Sequence, residues 1–295
     1  MMKIYMQIIS KISIKKKNLI LVIGIILLVV FIGHTIWGNI TVGTTYYKVY
    51  KENLPASFDG FVIAQISDLH NGEFGKDNSR IIKILKEEQP DIIVITGDLV
   101  DSNRTDIEIA VNLVEEAKKI APCYFVTGNH EAWIGATYDQ LENQLHNYGL
   151  VTLHDEVVIL SKGNDSIMLI GLDDPDFARV PSDEQASMFE RKLRDMKLPV
   201  GFKILLSHRP EAFSSYVAND IDLVLSGHAH GGQFRFPLIG GLVAPNQGLF
   251  PRYDGGMYTQ ATSLMIVSRG IGNSIIPVRI NNRPELVIVE LKSQD

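Results

Sequence analysis

Residues 91–98 read DIIVITGD. An apolar, β-branched run of this length is a strand buried on both faces, and here it stops at a glycine followed by an acid. The pattern recurs along the chain. FVIAQISDLH (61–70) ends at Asp68 and His70, and CYFVTGNHE (123–131) ends at Asn129, His130 and Glu131. KILLSH (203–208) ends at His208, and LVLSGHAH (223–230) ends at His228 and His230. Between these runs lie segments of helical period. Residues 80–89 are stopped by Pro90, 105–120 carry apolar residues on one helix face, and 137–148 are closed by Gly149. Alternating strands and helices predict an α/β domain with parallel pairing under helices. In open sheets of that kind ligands collect at the carboxyl ends of strands, so the five polar blocks are expected to converge.

Later segments extend the pattern. Residues 150–172 give short strands around a Gly163-Asn164-Asp165 turn, and 183–196 form a charged amphipathic helix. Three further strands are expected at 233–236, 264–268 and 285–291.

The blocks offer aspartates, an amide oxygen and imidazoles, a set that zinc, manganese and iron accept, whereas magnesium and calcium prefer all-oxygen sites. Asp68 and His70 alternate on what reads as an extended segment, so both side chains point to one side and can grip one ion. Asp98 follows Gly97, and its two oxygens can bridge two cations. Asn129 adds a neutral oxygen, and His228 and His230 share one side of an extended or turning segment. Two adjacent divalent metals are the usual device for hydrolysing phosphate esters. Glu131 is open between orienting a histidine and serving as a helix N-terminal acid. Arg209, Arg252 and Arg269 are open between phosphate contacts and ion pairs, and His146 and His154 are expected to be satisfied locally.

At 295 residues and 45% hydrophobic composition, the chain can bury one large core or two small ones. Its first eighteen residues hold five lysines and no acid. Removing those five from the 28 basic residues leaves 23 against 34 acids, so the remainder carries about −11 with histidine neutral. An acidic body argues against nucleic-acid binding, which needs a cationic surface. Cys123 is alone, which excludes an intrachain disulfide and a multi-thiolate zinc site.

Residues 19–37, LILVIGIILLVVFIGHTIW, carry no formal charge. At the helical rise they span about 28 Å, close to the hydrocarbon thickness of a bilayer. They lack both the polar stripe of a core helix and an A-x-A-like cleavage site, and so read as an uncleaved transmembrane anchor. Lys15, Lys16 and Lys17 should stay in the cytoplasm, which places the rest of the chain outside. The expected organisation is a basic tail (1–18), the span (19–37), a juxtamembrane connector (38–56) and a catalytic domain (57–295). The expected location is a single-pass cell-membrane protein with an extracytoplasmic domain.

Taken in order, D-x-H, G-D, G-N-H-E, a lone histidine and G-H-x-H resemble the calcineurin-like metallophosphoesterases. GHAHGGQ (227–233), SRGIGNSIIPVRINNRPELVIVEL (268–291) and the anchor are similar to the family's bacterial membrane-bound branch. Some members of that branch are UDP-2,3-diacylglucosamine pyrophosphatases, although an outward-facing domain conflicts with a cytosolic nucleotide-sugar lipid. The resemblance covers about residues 58–291 and implies a two-sheet β-sandwich flanked by helices. It implies Asp68, His70, Asp98 and His230 around a first metal, and Asp98, Asn129, His208 and His228 around a second. His130 would stand beside the leaving group without ligating. Two divalent ions (Mn, Zn or Fe) would be the cofactors. The substrate would be a phosphodiester, phosphomonoester or diphosphate, with lipid-linked and nucleotide-sugar diphosphates among the candidates. Residues 173–195 could cover the cleft. The alternative is an extracytoplasmic cell-envelope-binding protein with a structural metal site, which would need only one ion in a closed shell.

Overall fold

The computed structural model describes residues 2–273 and 276–294, with side chains from Lys16 onward. Helix α1 (Met2–Ile40) is continuous, and its segment Lys16–Ile40 is long and apolar enough to cross a membrane, with none of its apolar length buried against the protein. The expected span at 19–37 lies inside it.

Then follow β1 (Gly43–Lys51), β2 (Val62–Ile66), α2 (Ser79–Glu88), β3 (Ile92–Thr96), α3 (Ile107–Lys118) and β4 (Cys123–Val126). Next come α4 (Asn129–Trp133), α5 (Thr137–Asn147), β5 (Val151–Thr152), β6 (Glu156–Lys162), β7 (Asp165–Gly171) and α6 (Ser182–Asp195). The chain continues through β8 (Lys203–Leu206), α7 (Phe213–Val217) and β9 (Leu223–Ser226). Two small hairpins, β10 (Arg235–Phe236) with β11 (Gly240–Gly241) and β12 (Val243–Ala244) with β13 (Gly248–Leu249), lead to β14 (Gly256–Gln260), β15 (Ser263–Val267) and β16 (Glu285–Ser293).

Two six-stranded sheets form, in the orders β1-β16-β2-β3-β4-β5 and β14-β15-β9-β8-β7-β6. Strand β3 explains why they stack. Ile92 and Val94 project into the core between the sheets, whereas Ile93 and Ile95 pack under the helices on the outer face. A strand sealed on both sides has no polar alternation, which is why 91–98 reads as an unbroken apolar run. Side chains of α2, α3 and α5 cover the first sheet, and those of α6 and α7 cover the second. Each large side chain so buried contributes roughly 1.5–3 kcal/mol. The result is the expected four-layer α/β sandwich.

Below the strand ends, Gln65 of β2 bridges the layers. Its Nε2 donates to Thr96 Oγ1 of β3 at 3.0 Å and to the Ser226 carbonyl of β9 at 2.9 Å. That cross-link fixes the height of one sheet's rim relative to the other.

One expectation is corrected. The stretch 38–56 is not only a connector, because β1 joins the first sheet as its edge and pairs parallel with β16 from Gly43–Glu285 to Lys51–Ser293. Among its side chains only Val49 is fully buried, so no apolar run betrays the strand. The strand expected at 233–236 shrinks to β10, and β14, α4 and α7 arise where none was expected.

Candidate metal centre

Strands β2, β3 and β4 run parallel in one sheet, and β8 and β9 run parallel in the other. Their carboxyl ends therefore open on one rim, and all five polar blocks meet there. The chain turns sharply as it leaves each strand. Asp68 (φ 52°), His70 (φ 44°), Asp98 (φ 55°), His228 (φ 66°) and His230 (φ 49°) all adopt the left-handed region. Such conformations cost free energy in non-glycine residues and cluster at functional sites. They correct the extended reading of D-x-H: the two side chains come together through consecutive left-handed turns, not through strand alternation.

Two buried groups result. Asp68, His70, Asp98 and His230 form one, and Asp98, His208 and His228 form the other, so Asp98 belongs to both. In the first, His70 Nε2 lies 3.0 Å from His230 Nε2 and 3.5 Å from Asp98 Oδ2, and His230 Nε2 lies 3.4 Å from Asp68 Oδ1. In the second, His208 Nε2 lies 3.2 Å from Asp98 Oδ2 and 3.0 Å from His228 Nδ1.

Backbone contacts aim these groups. His208 Nδ1 sits 2.8 Å from the Thr96 carbonyl, to which it can only donate, so Nε2 is the nitrogen turned toward Asp98. The His228 amide donates to Asp68 Oδ1 at 3.0 Å, and the His130 amide donates to Asp98 Oδ1 at 2.9 Å. Glu131 accepts the amides of Gly128 (2.7 Å), Asp98 (2.9 Å) and Val100 (3.3 Å). It is both the N-terminal acid of α4 and the clamp on the Asp98 loop. Two glycines are required by close approach. A β-carbon on Gly97, which also has φ 87°, would strike the His208 ring, and one on Gly128 would strike the Asp98 carboxylate.

Electrostatics follow from burial. Removal from water pushes His70 down to about 3 and holds His228 and His230 well below their usual value, leaving neutral imidazoles of the kind metals bind. Burial raises Asp68 to about 6. Burial also works against charge on Asp98 and His208, but their mutual attraction prevails. It holds Asp98 well below the usual carboxylate range and lifts His208 to about 10. Burial and the Asp98 charge raise Glu131 to about 7.

The donor set fits a pair of divalent cations. Asn129 Oδ1 is buried with no hydrogen-bond partner, although buried polar atoms rarely go unpaired. Two pairs of imidazoles bring their nitrogens to 3.0 Å around a shared carboxylate. Mixed imidazole, carboxylate and amide oxygen ligands suit manganese, zinc or iron.

A cleft of about 320 Å³ opens over Asp98, Asn129, His130 and His228, with Asp176 and Gln185 at its wall. The 173–195 segment thus contributes to the cleft. His130 turns Nδ1 to the Ser102 amide, accepting at 2.9 Å, so a neutral ring carries its proton on Nε2. Arg209 is buried, not a surface residue. Its fork is taken by Asp174 (Nε–Oδ2 2.6 Å, Nη2–Oδ1 2.8 Å), and its Nη1 lies 3.1 Å from His228 Nε2. Arg252 stacks on Tyr253, and Arg269 pairs with Glu285. His146 meets Thr152, and His154 joins Asp173 to Glu142; neither belongs to the two buried groups.

The sequence reading missed Arg279 and Asn39. Arg279 is fully buried, and its Nη2 reaches to 3.4 Å from His230 Nδ1. An arginine within an apolar stretch that ends in a β-strand was the available signal.

Residues 61–232 match the model of the calcineurin-like phosphoesterases. An uncharacterized metallophosphoesterase of Bacillus subtilis is 30% identical over 262 residues, which cover 85% of each chain. A transmembrane protein with metallophosphoesterase domain from Danio rerio is 33% identical over 254 residues, covering 83% of this chain and 56% of that one. A phosphodiesterase of Escherichia coli is 27% identical over 237 residues, covering 78% and 82%. With the two-sheet fold and two clusters sharing one aspartate, this chain belongs to the calcineurin-like phosphoesterases.

Proposed function

We propose that this protein is a membrane-anchored dinuclear phosphoesterase whose catalytic domain faces away from the cytoplasm. Its substrate is proposed to be a phosphodiester or diphosphate carried by a lipid. The observation that carries the reading is the position of Asp98, at the end of β3 and shared between the two buried groups. Asp68, His70, Asp98 and His230 would hold one cation, and Asp98, Asn129, His208 and His228 the other. Two such cations supply Lewis acidity toward phosphoryl oxygens and lower the pKa of bound water. Seven donor side chains around two overlapping groups exceed what a closed four-ligand structural site uses.

The chain's own residues divide the remaining work. Thr96 and Asp68 hold His208 and His228 in place. Arg209, locked by Asp174, backs His228 from the cleft side. His130, with Nδ1 occupied by the Ser102 amide, offers Nε2–H to the departing oxygen as charge develops there. The anchoring part of the reading is supported by the exposed apolar segment Lys16–Ile40 and by the lysines that precede it.

The test uses the full chain in detergent. Elemental analysis should find close to two transition-metal ions per chain, and manganese should support hydrolysis of diesters or diphosphates. One ion per chain with no hydrolysis of any phosphate ester would overturn the enzyme reading. Protease added to intact cells should remove the domain, and full protection would overturn the orientation.

A further inference from the structure

On the side of His230 turned away from the metal cluster lies an arginine group that the chemistry above does not use. A cavity of about 190 Å³ opens between the last turns of α1, Arg269 and the segment 279–283, lined by His34, Thr35, Trp37, Arg269, Arg279 and Arg283. Three guanidinium groups line it; Glu285 is taken by Arg269, and the Asp68 carboxylate acts on Arg279 from the side of the metal cluster. Arg279 spends its hydrogen bonds on the carbonyls of Arg269 and Gly272 and on Asn273 Oδ1. Arg283 donates to the Val42 carbonyl at 2.6 Å and lies over the Trp37 ring at 4.7 Å. Among the described residues neither Arg279 nor Arg283 pairs with a carboxylate. Arg283 Nε and Thr35 Oγ1 are buried without hydrogen-bond partners.

Three guanidinium groups against two carboxylates leave one positive charge in excess, at Arg283, in a small half-closed space that suits an anion. Burial, reinforced by Arg269, already pushes Arg283 below its usual value, so the cavity holds its cations at a cost that a bound anion would relieve. Guanidinium forks match phosphate oxygens in pairs. The position selects the kind of phosphate. Trp37 is of the type that settles at the headgroup level of a bilayer, and Ile32 and Ile36 of the same helix are exposed where acyl chains would run.

We infer that this cavity takes the phosphate of an anionic glycerophospholipid from the leaflet that surrounds the end of α1. The inference rests on the anchoring proposed above. It assigns a lipid site separate from the hydrolytic cleft, with Arg279 between the two. A headgroup on the cavity side of Arg279 would stiffen the guanidinium that backs His230, so the bound lipid supports the metal cluster from behind.

The test uses full-length protein in a neutral detergent, with native mass spectrometry counting retained lipid. Dioleoylphosphatidylglycerol should be held at least tenfold more tightly than dioleoylphosphatidylcholine, and Arg283→Ala should reduce the two to equal retention. The melting temperature of Arg283→Ala, read in parallel, shows whether the variant is folded, and Arg283→Lys should recover part of the preference. Equal retention of the two lipids by the wild type would overturn the inference, as would an undiminished preference in folded Arg283→Ala. Glycerol 3-phosphate at millimolar concentration should not displace the lipid; displacement would assign the cavity to a soluble phosphate and overturn the lipid source. Alkaline washing of membranes separates the two proposals. A chain that washes off overturns anchoring and lipid site together, whereas a chain that stays but lacks the preference overturns the lipid site alone.

Discussion

Asn39 and Arg279 bond to each other in both directions: Asn39 Oδ1 accepts the Arg279 amide at 2.8 Å, and Asn39 Nδ2 donates to the Arg279 carbonyl at 2.7 Å. A side-chain amide here does what a neighbouring strand would do, and it fastens the end of α1 to the loop that backs His230. Asn39→Ala should cost about 1–3 kcal/mol from two lost hydrogen bonds. Thermal unfolding in detergent should register a drop of several degrees. An unchanged melting temperature would show that water replaces both bonds.

Removing the shared carboxylate should empty both metal positions. Asp98→Ala is expected to lose nearly all bound metal by elemental analysis, and Glu131→Gln, which loosens the Asp98 loop, should weaken metal affinity by roughly 10–100-fold. An Asp98→Ala protein with its full metal content would refute the bridging assignment. The His208 proton, held in place by Asp98, must leave on loading, so apparent metal affinity should rise with pH through the neutral range.

Leaving-group dependence isolates His130. Because Ser102 occupies Nδ1, the ring can assist the departing oxygen only through Nε2. His130→Ala should slow hydrolysis of an alkyl phosphodiester by roughly 100-fold or more, the scale of a lost hydrogen-bond donor to developing charge, and slow a nitrophenyl ester far less. Equal losses on both substrates would remove it from the reaction.

A pH-dependent contribution to stability is expected from His154, away from the centre. Its hydrogen bond to Asp173, assisted by Glu142, raises it to about 9 despite partial burial. Folded-state protonation above the unfolded value of about 6.5 stabilises the fold fully below that pH, and the gain is lost as pH climbs to about 9. The melting-temperature gap between wild type and His154→Ala should therefore be widest near pH 6 and close above pH 9. A constant gap would assign His154 a packing role.

The strand ends and their polar blocks were legible because β2, β3, β4, β8 and β9 are sealed on both faces, so apolar runs break only where the rim begins. Strand β1 was not, because it is an edge whose partner lies some 240 positions away and it buries little beyond Val49. The left-handed turns at Asp68 and His70 leave no mark in composition, since aspartate and histidine populate that region without glycine's signature. The Asn39–Arg279 tie is wholly tertiary, and no local period encodes it.

Only Thr41 and Val42 separate the end of α1 from the first residue of β1, and the Val42 carbonyl is itself held by Arg283. On the proposed anchoring, the enzyme has no leash. Its cleft would ride at one fixed depth and tilt, unable to stretch toward molecules dispersed through the surrounding fluid. Selectivity would then come partly from altitude: phosphate esters displayed at that level would be cut, and chemically identical ones held higher or lower would be spared.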